Sequence, residues 1–362
     1  MKCEIGSDFF EINLNNCVKN DFWWDNAAYQ CEYLMSGRNA LLGLCRILQD
    51  SGKRVLLPAY TCATVIVPFL QEGWEVFYYD INRDLSINAE SVKNMIAELL
   101  PDVFLLHSYF GFDFVRDIRE LVRFAKEHLM LVVEDLTQCL FSEHRIPDAD
   151  YYISSLRKFL AVPDGGILVS KKTIPLMPDT ASDELSEISH KAYSLKKKYF
   201  ETQIPAIKDE FRALFAQCNA ILASNGGLRK ASDQTRQIYR KTDFDALKKT
   251  RMRNYNLLHS LLSASKLIQP ILASAADGTT PLYLPVYVFG EQRAALQKFL
   301  ATKHIYCPVI WPRPSEIPSV SAEVAYIYEH ILCIPIDQRY GNEEMQYIAS
   351  EIYDFEERTM SS

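Results

Sequence analysis

The sequence lacks most of the features that would assign it at sight. It has no long apolar run: stretches such as Val103–Leu106 and Leu129–Val133 fall far short of the roughly 20 residues a bilayer-spanning helix needs. Met1-Lys-Cys-Glu-Ile does not show the basic-then-apolar layout of a signal peptide. The nine cysteines are scattered without a C-x-x-C pair, which argues against both a zinc site and a disulfide framework. These absences lead us to expect a cytoplasmic protein without a metal centre and without membrane attachment. There is no basic excess either. Thirty-nine Lys and Arg stand against 46 Asp and Glu, a net charge of −7, so non-specific nucleic-acid binding is not expected. No low-complexity tract or fixed-period repeat occurs, and no glycine fingerprint of a dinucleotide site follows the first strand.

What is present is an ordinary globular balance of 48% apolar and 23% charged residues over 362 positions, enough for two cores. Residues 1–35, with Phe22-Trp23-Trp24, read as an irregular arm with short helical pieces that packs on the body or on a partner. Strand and helix patterns then alternate. Arg54–Leu57, Glu75–Tyr79, Val103–Leu106 and Leu129–Val133 read as strands. Between and before them, Ala40–Leu48, Thr64–Glu72, Ala89–Leu99 and Asp117–Glu127 carry helical periodicity. This alternation predicts an α/β fold with a mostly parallel sheet covered by helices on both faces. After Lys172 the pattern turns helical over Asp183–Leu222 and Asp243–Leu262. It then mixes strands at Pro281–Phe289, Tyr306–Ile310 and Ile331–Ile334 with helices at Gln292–Thr302 and Glu343–Asp354. The expected organisation is an arm over 1–35, a large domain over 36–240 and a smaller α+β domain over 241–362.

The most informative stretch is Tyr151–Ser170, which sets Lys158 in a loop between two strand-like runs and returns through Asp164-Gly165-Gly166. Burial disfavours a charged lysine, so this placement suits one whose neutral amine is the working form. In an open parallel sheet, ligands bind at the carboxyl ends of the strands. Asp135 follows an apolar strand with Gln138 three residues on, and Ser36-Gly37-Arg38-Asn39 opens a helix whose free amides suit a phosphate. Tyr60-Thr61-Cys62 joins a strand to a helix. A phosphate cradle, a carboxylate for a ring nitrogen and a lysine for an aldehyde are the three contacts that pyridoxal phosphate requires.

The same residues carry a family resemblance. Ser36–Leu41, Leu57-Pro58-Ala59-Tyr60-Thr61, Leu106–Gly111, Val132–Gln138 and Arg251–Tyr255 are similar to motifs of the DegT/StrS family of fold-type I pyridoxal-phosphate aminotransferases. The resemblance implies that Lys158 bonds the cofactor's aldehyde, Asp135 holds its ring nitrogen and Gln138 its hydroxyl. Gly37 and the backbone amides of Arg38 and Asn39 would hold the phosphate. It further implies glutamate as amino donor, a nucleotide-linked keto-sugar as acceptor, and a homodimer with shared sites. Three positions depart from the family pattern. Cys62 stands where an aromatic ring usually stacks on the cofactor. Ile153 stands where a phosphate-binding serine is usual, which passes that role to Ser155 or Ser154. Leu228-Arg229-Lys230 stands for a cross-subunit N-Y-R, with Lys230 able to reach a neighbour's phosphate. His107, Tyr109 and Arg313 are further residues that could reach substrate, while the basic face of helix 243–262 reads as solvated surface. Two competing readings are a lyase, dehydratase or decarboxylase using the same cofactor, and a non-catalytic regulator on the same fold.

Overall fold

The computed structural model describes residues 4–10, 20–112, 115–146, 148–224, 227–272 and 275–360. The chain opens with β1 (Gln30–Leu34), α1 (Gly37–Ile47), β2 (Arg54–Pro58), α2 (Ala63–Gln71) and β3 (Glu75–Tyr79). Next come α3 (Ala89–Leu99), β4 (Val103–His107), α4 (Val115–Glu127), β5 (Leu131–Asp135), β6 (Tyr151–Ser155) and β7 (Gly166–Ser170). Seven strands form one sheet in the order β1-β7-β6-β5-β4-β2-β3. The pairs from β3 across to β6 are parallel, and β7 alone runs against its neighbours. The expected mostly parallel sheet is therefore present. β4 is buried at every position, as a strand covered on both faces must be. Leu56, Phe104 and Val132 feed one core, while Val55, Leu57, Val103 and Val133 feed the other, as alternation along a strand requires.

The helical stretch resolves into α5 (Asp183–Thr202), α6 (Pro205–Ala223), α7 (Asp233–Lys241) and α8 (Phe244–Leu261). A second, antiparallel sheet follows, built from β8 (Ile268–Pro270), β9 (Leu284–Val288) and β10 (Ile331–Ile334). It is accompanied by α9 (Arg293–Thr302), α10 (Ala322–His330) and α11 (Asn342–Met360). None of the helices in the described residues is long and apolar enough to cross a membrane.

Three expectations differ from the structure. Gln30–Leu34 is not irregular arm but an edge strand, with Gln30 opposite Ser170 and Leu34 opposite Gly166. Its half-buried pattern is masked in sequence by the aromatic residues before it. Those aromatics do pack on the body: Phe22 stacks on Trp24 at 4.6 Å, and Trp23 meets Tyr152 edge-on at 4.9 Å. Tyr306–Ile310 forms no strand, only a bridge between Ile305 and Ile5. Pro308 and Pro312 have no N–H to extend a ladder. The basic face of α8 is not wholly solvated. Arg251 is 1% exposed and donates to Gln338 Oε1 and to the carbonyls of Pro281 and Leu282.

Two local devices set the ends of the sheet. Gly166 begins β7 against the start of α1, and a Cβ there would lie 2.2 Å from the Ser36 carbonyl. That position tolerates only glycine. Asp164, fully buried, accepts hydrogen bonds from Ser232 N, Ser232 Oγ and Thr235 Oγ1. It thereby ties the loop after Lys158 to the N-terminus of α7.

Candidate active site

His107 and Asp135 end β4 and β5 and stand in one row with Ile153 at the middle of β6, because the parallel registers pair His107 with Asp135 and Asp135 with Ile153. Strand pairing alone thus brings residues 46 positions apart into one row. Asp135 is 5% exposed. Burial acts to raise its pKa, but the hydrogen bond from His107 and those from Thr137 outweigh it and hold the carboxyl below its usual value. His107 Nδ1 lies 3.3 Å from Asp135 Oδ2, and the Thr137 amide donates to Oδ1 at 2.8 Å. The other imidazole nitrogen, Nε2, is 2.6 Å from Thr61 Oγ1. Asp135 is therefore an ionised carboxylate fixed in place from two sides.

Lys158 ends a short 3-10 turn, Leu156–Lys158, directly after β6. Its surface opens on a cavity, while protein surrounds it closely. Desolvation, with the neighbouring Arg157 charge, lowers its pKa against the smaller opposing pull of Cys62 and Asp135. The loop is braced from behind by Gln338 Nε2, which donates to the Phe159 carbonyl at 2.7 Å.

The cavity, about 300 Å³, brings together Lys158, Asp135, Gln138, Cys62, Ser155, Gly37 and Arg38. Gly37 opens α1 opposite Ser155; a Cβ on it would stand 3.3 Å from Ser155 Cβ. Helix geometry leaves the first amides of α1 without intrahelical partners. Of these, the Asn39 amide is taken by Ser36 Oγ at 3.1 Å. The Asn39 side chain also points elsewhere, donating to Gly227 O and accepting from Arg229 N. The Arg38 guanidinium reaches the Ala223 carbonyl at 2.9 Å. Gln138 is buried, and its Oε1 accepts from the Phe110 amide at 2.7 Å. Cys62 precedes α2 and accepts from Thr64 Oγ1 at 3.0 Å.

Of the three serine-position residues, Ser155 faces the cavity and Ile153 lines its floor. Ser154 is fully buried, and its hydroxyl has no partner. Tyr109 is buried and donates to the Tyr60 carbonyl. Arg313 donates to the carbonyls of Ile317 and Pro318 in its own loop. Lys230 is exposed on the far side of β1, where its backbone bridges to Leu34. None of these three lines the cavity.

Three contributors escaped the sequence. Thr137 donates its amide to Asp135 and accepts from the Ser155 amide with its hydroxyl, and an Asp-x-Thr spacing was the available signal. Trp311 lines the cavity with its ring centroid 5.7 Å from that of His107. Asn219, Leu222 and Ala223 of α6 form another wall. Their presence depends on how α6 packs, which no local pattern encodes.

Residues 31–172, which hold this constellation from β1 to β7, match the model of the DegT/DnrJ/EryC1/StrS aminotransferase family. Over that stretch the chain is similar to this family of aminotransferases. Solved structures agree on the fold. The aminotransferase PseC of Helicobacter pylori, involved in the biosynthesis of pseudoaminic acid, is 14% identical with a TM-score of 0.66, covering 91% of this chain and 87% of that one. DesV of S. venezuelae, solved with a ketimine intermediate, is 17% identical at a TM-score of 0.64, with coverages of 90% and 85%. A putative sugar aminotransferase of Streptococcus pneumoniae in its PLP form is 16% identical at 0.63, with coverages of 91% and 87%. At these identities the likeness is one of fold. No curated protein matches by sequence.

Proposed function

We propose that the chain is a pyridoxal-phosphate-dependent aminotransferase that moves an amino group from an amino acid, glutamate being the first choice, to a keto acceptor of the nucleotide-linked keto-sugar class. The observation that carries this reading is the convergence of Lys158, Asp135 and the start of α1 on one cavity of about 300 Å³. The residues present fit the cofactor. A carboxylate offers about four acceptor positions, and those of Asp135 engaged by His107 and Thr137 leave others for a pyridinium proton. The narrow approach of Gly37 to Ser155 suits a phosphate held by backbone amides and a hydroxyl.

When bound, the cofactor supplies an electron sink for the carbanion formed as the donor loses its α-proton. Lys158 would hold the cofactor through its aldehyde, and its amine, when free, would be placed to take up and return a proton. Its lowered pKa favours the neutral amine that both tasks need. Asp135 would hold the ring nitrogen and its proton, and His107 keeps Asp135 ionised and in place. Ser155 and the first amides of α1 would hold the phosphate, and Gln138 and Cys62 line the same cavity. Trp311, rather than residue 62, is the aromatic ring available at this wall. The reading includes a cytoplasmic homodimer with shared sites and a division between the larger and smaller domains near residue 240.

A half-reaction screen tests it. Glutamate should bleach the visible band of the purified protein, and a keto-sugar nucleotide should restore it. A band that no amino donor bleaches would favour lyase or decarboxylase chemistry instead.

A further inference from the structure

A second cavity, about 320 Å³, shares Ser155, Arg157, Lys158 and Asn219 with the first. Its charged lining comprises Arg157, Arg251, Arg339, Asp8, Asp337 and Lys158. Most of this charge is already matched. Arg339 grips Asp337 through Nε–Oδ1 at 2.8 Å and Nη2–Oδ2 at 2.9 Å. Arg251 is committed to Gln338 and two backbone carbonyls. Arg157 is different. Its Nη2 donates to Asn219 Oδ1 at 3.1 Å, and it enters no ion pair among the described residues. Desolvation by the surrounding protein lowers its pKa, against the smaller pull of Tyr193, Cys218 and the carboxylates of Asp8 and Asp164, none of which is bonded to it. A guanidinium carries five donors in a planar fork that matches a carboxylate. This one has most of them to spare, one residue from the amine of Lys158.

We propose that Arg157 binds the α-carboxylate of the amino donor in this second cavity and so sets the preference for an amino acid over a simple amine. The inference rests on the aminotransferase reading above. Size and charge favour the donor over the acceptor's diphosphate. The cavity lies at the lower end of the roughly 300–1,000 Å³ typical of small-molecule sites. Three arginines there face two aspartates, which leaves a single positive charge beside Lys158, the complement of one carboxylate.

The test is a calorimetric titration of the purified full-length protein with glutarate, a dicarboxylate that has no amine to react, and in parallel with a nucleoside diphosphate. The wild type, Arg157→Met and Arg157→Lys are compared at equal cofactor content. Glutarate should bind the wild type, weaken by about 10-fold or more in Arg157→Met, and recover in part in Arg157→Lys. Nucleoside diphosphate binding should not change. In the half-reaction, KM for glutamate should rise in Arg157→Met, while the rate with 4-aminobutyrate, which lacks the α-carboxylate, should stay near that of the wild type. Absence of glutarate binding to the wild type, equal affinity in Arg157→Met, or a loss confined to the nucleoside diphosphate would overturn the proposal. A protein that binds glutarate through Arg157 but transfers no amino group would leave the proposed anion site standing and defeat the aminotransferase reading alone.

Discussion

His107 and Asp135 face each other across the ends of β4 and β5, with Nδ1 3.3 Å from Oδ2. The imidazole is itself held by Thr61, so Asp135 is positioned through a relay of two side chains. Replacing His107 by Phe removes the largest of the interactions that hold the Asp135 pKa down. Affinity for pyridoxal phosphate should fall about 10-fold or more, the equivalent of one hydrogen bond to a charged group. The pH dependence of the visible band should shift as well, which a purely structural loss would not produce. Equilibrium cofactor titration at several pH values measures both.

Glu134, the residue before Asp135, gives a prediction about stability. It is fully buried, and burial pushes its carboxyl up to about 7 against the bonds from Ile146 N and Ser108 Oγ. A raised pKa means the folded state holds its proton longer than the unfolded chain does. The stabilisation from this group is therefore complete below about pH 4.5 and lost as pH rises through about 7. Glu134→Gln should become the more stable protein across that window, by up to about 3 kcal/mol at pH 8 relative to pH 4.5. Urea unfolding midpoints at the two pH values provide the measurement.

Gly166 joins the lysine loop to the start of α1 at one end of the cavity. Its missing Cβ would sit 2.2 Å from the Ser36 carbonyl, a backbone atom that cannot swing aside. Gly166→Ala should cost about 3 kcal/mol, at the upper end of overpacking penalties, and should weaken cofactor binding by displacing the start of α1. Denaturant melts and cofactor titration of the same variant report the two effects.

Lys158 should trade stability for chemistry. Its folded-state pKa is lowered, first by desolvation and then by Arg157. Between that lowered value and the unfolded value near 10.5, the unfolded chain binds more protons, so the stability of the cofactor-free wild type rises with pH. Lys158→Met has no such dependence. Its melting temperature should exceed that of the wild type at neutral pH, and the gap should shrink as pH approaches 10.

Much of this molecule was legible before its structure. α3 has the bounds that its periodicity predicts, and β4 and β5 appear where apolar runs stand between polar breaks. The motif residues Gly37, Cys62, Asp135 and Ser155 were also legible as positions, since they sit at strand ends or helix starts, and they line one cavity. What the pattern could not supply was orientation and long-range packing. Asn39 belongs to the right helix start, yet its side chain turns to Gly227 and its amide to Ser36. Arg313 looked available as a free guanidinium and is bound to its own loop. Trp311 and α6 reach the cavity only through contacts spanning tens to hundreds of residues. The buried Arg251 was hidden by its basic neighbours on α8, some of which are indeed exposed.

The central claim is that Lys158 holds pyridoxal phosphate covalently opposite Asp135. Borohydride reduction of the purified protein incubated with the cofactor, followed by peptide mass mapping, addresses it directly. The account predicts loss of the visible band and a pyridoxyl adduct on the peptide containing Lys158, with neither in Lys158→Ala. An adduct spread over surface lysines, or one that persists unchanged in Lys158→Ala, would contradict it.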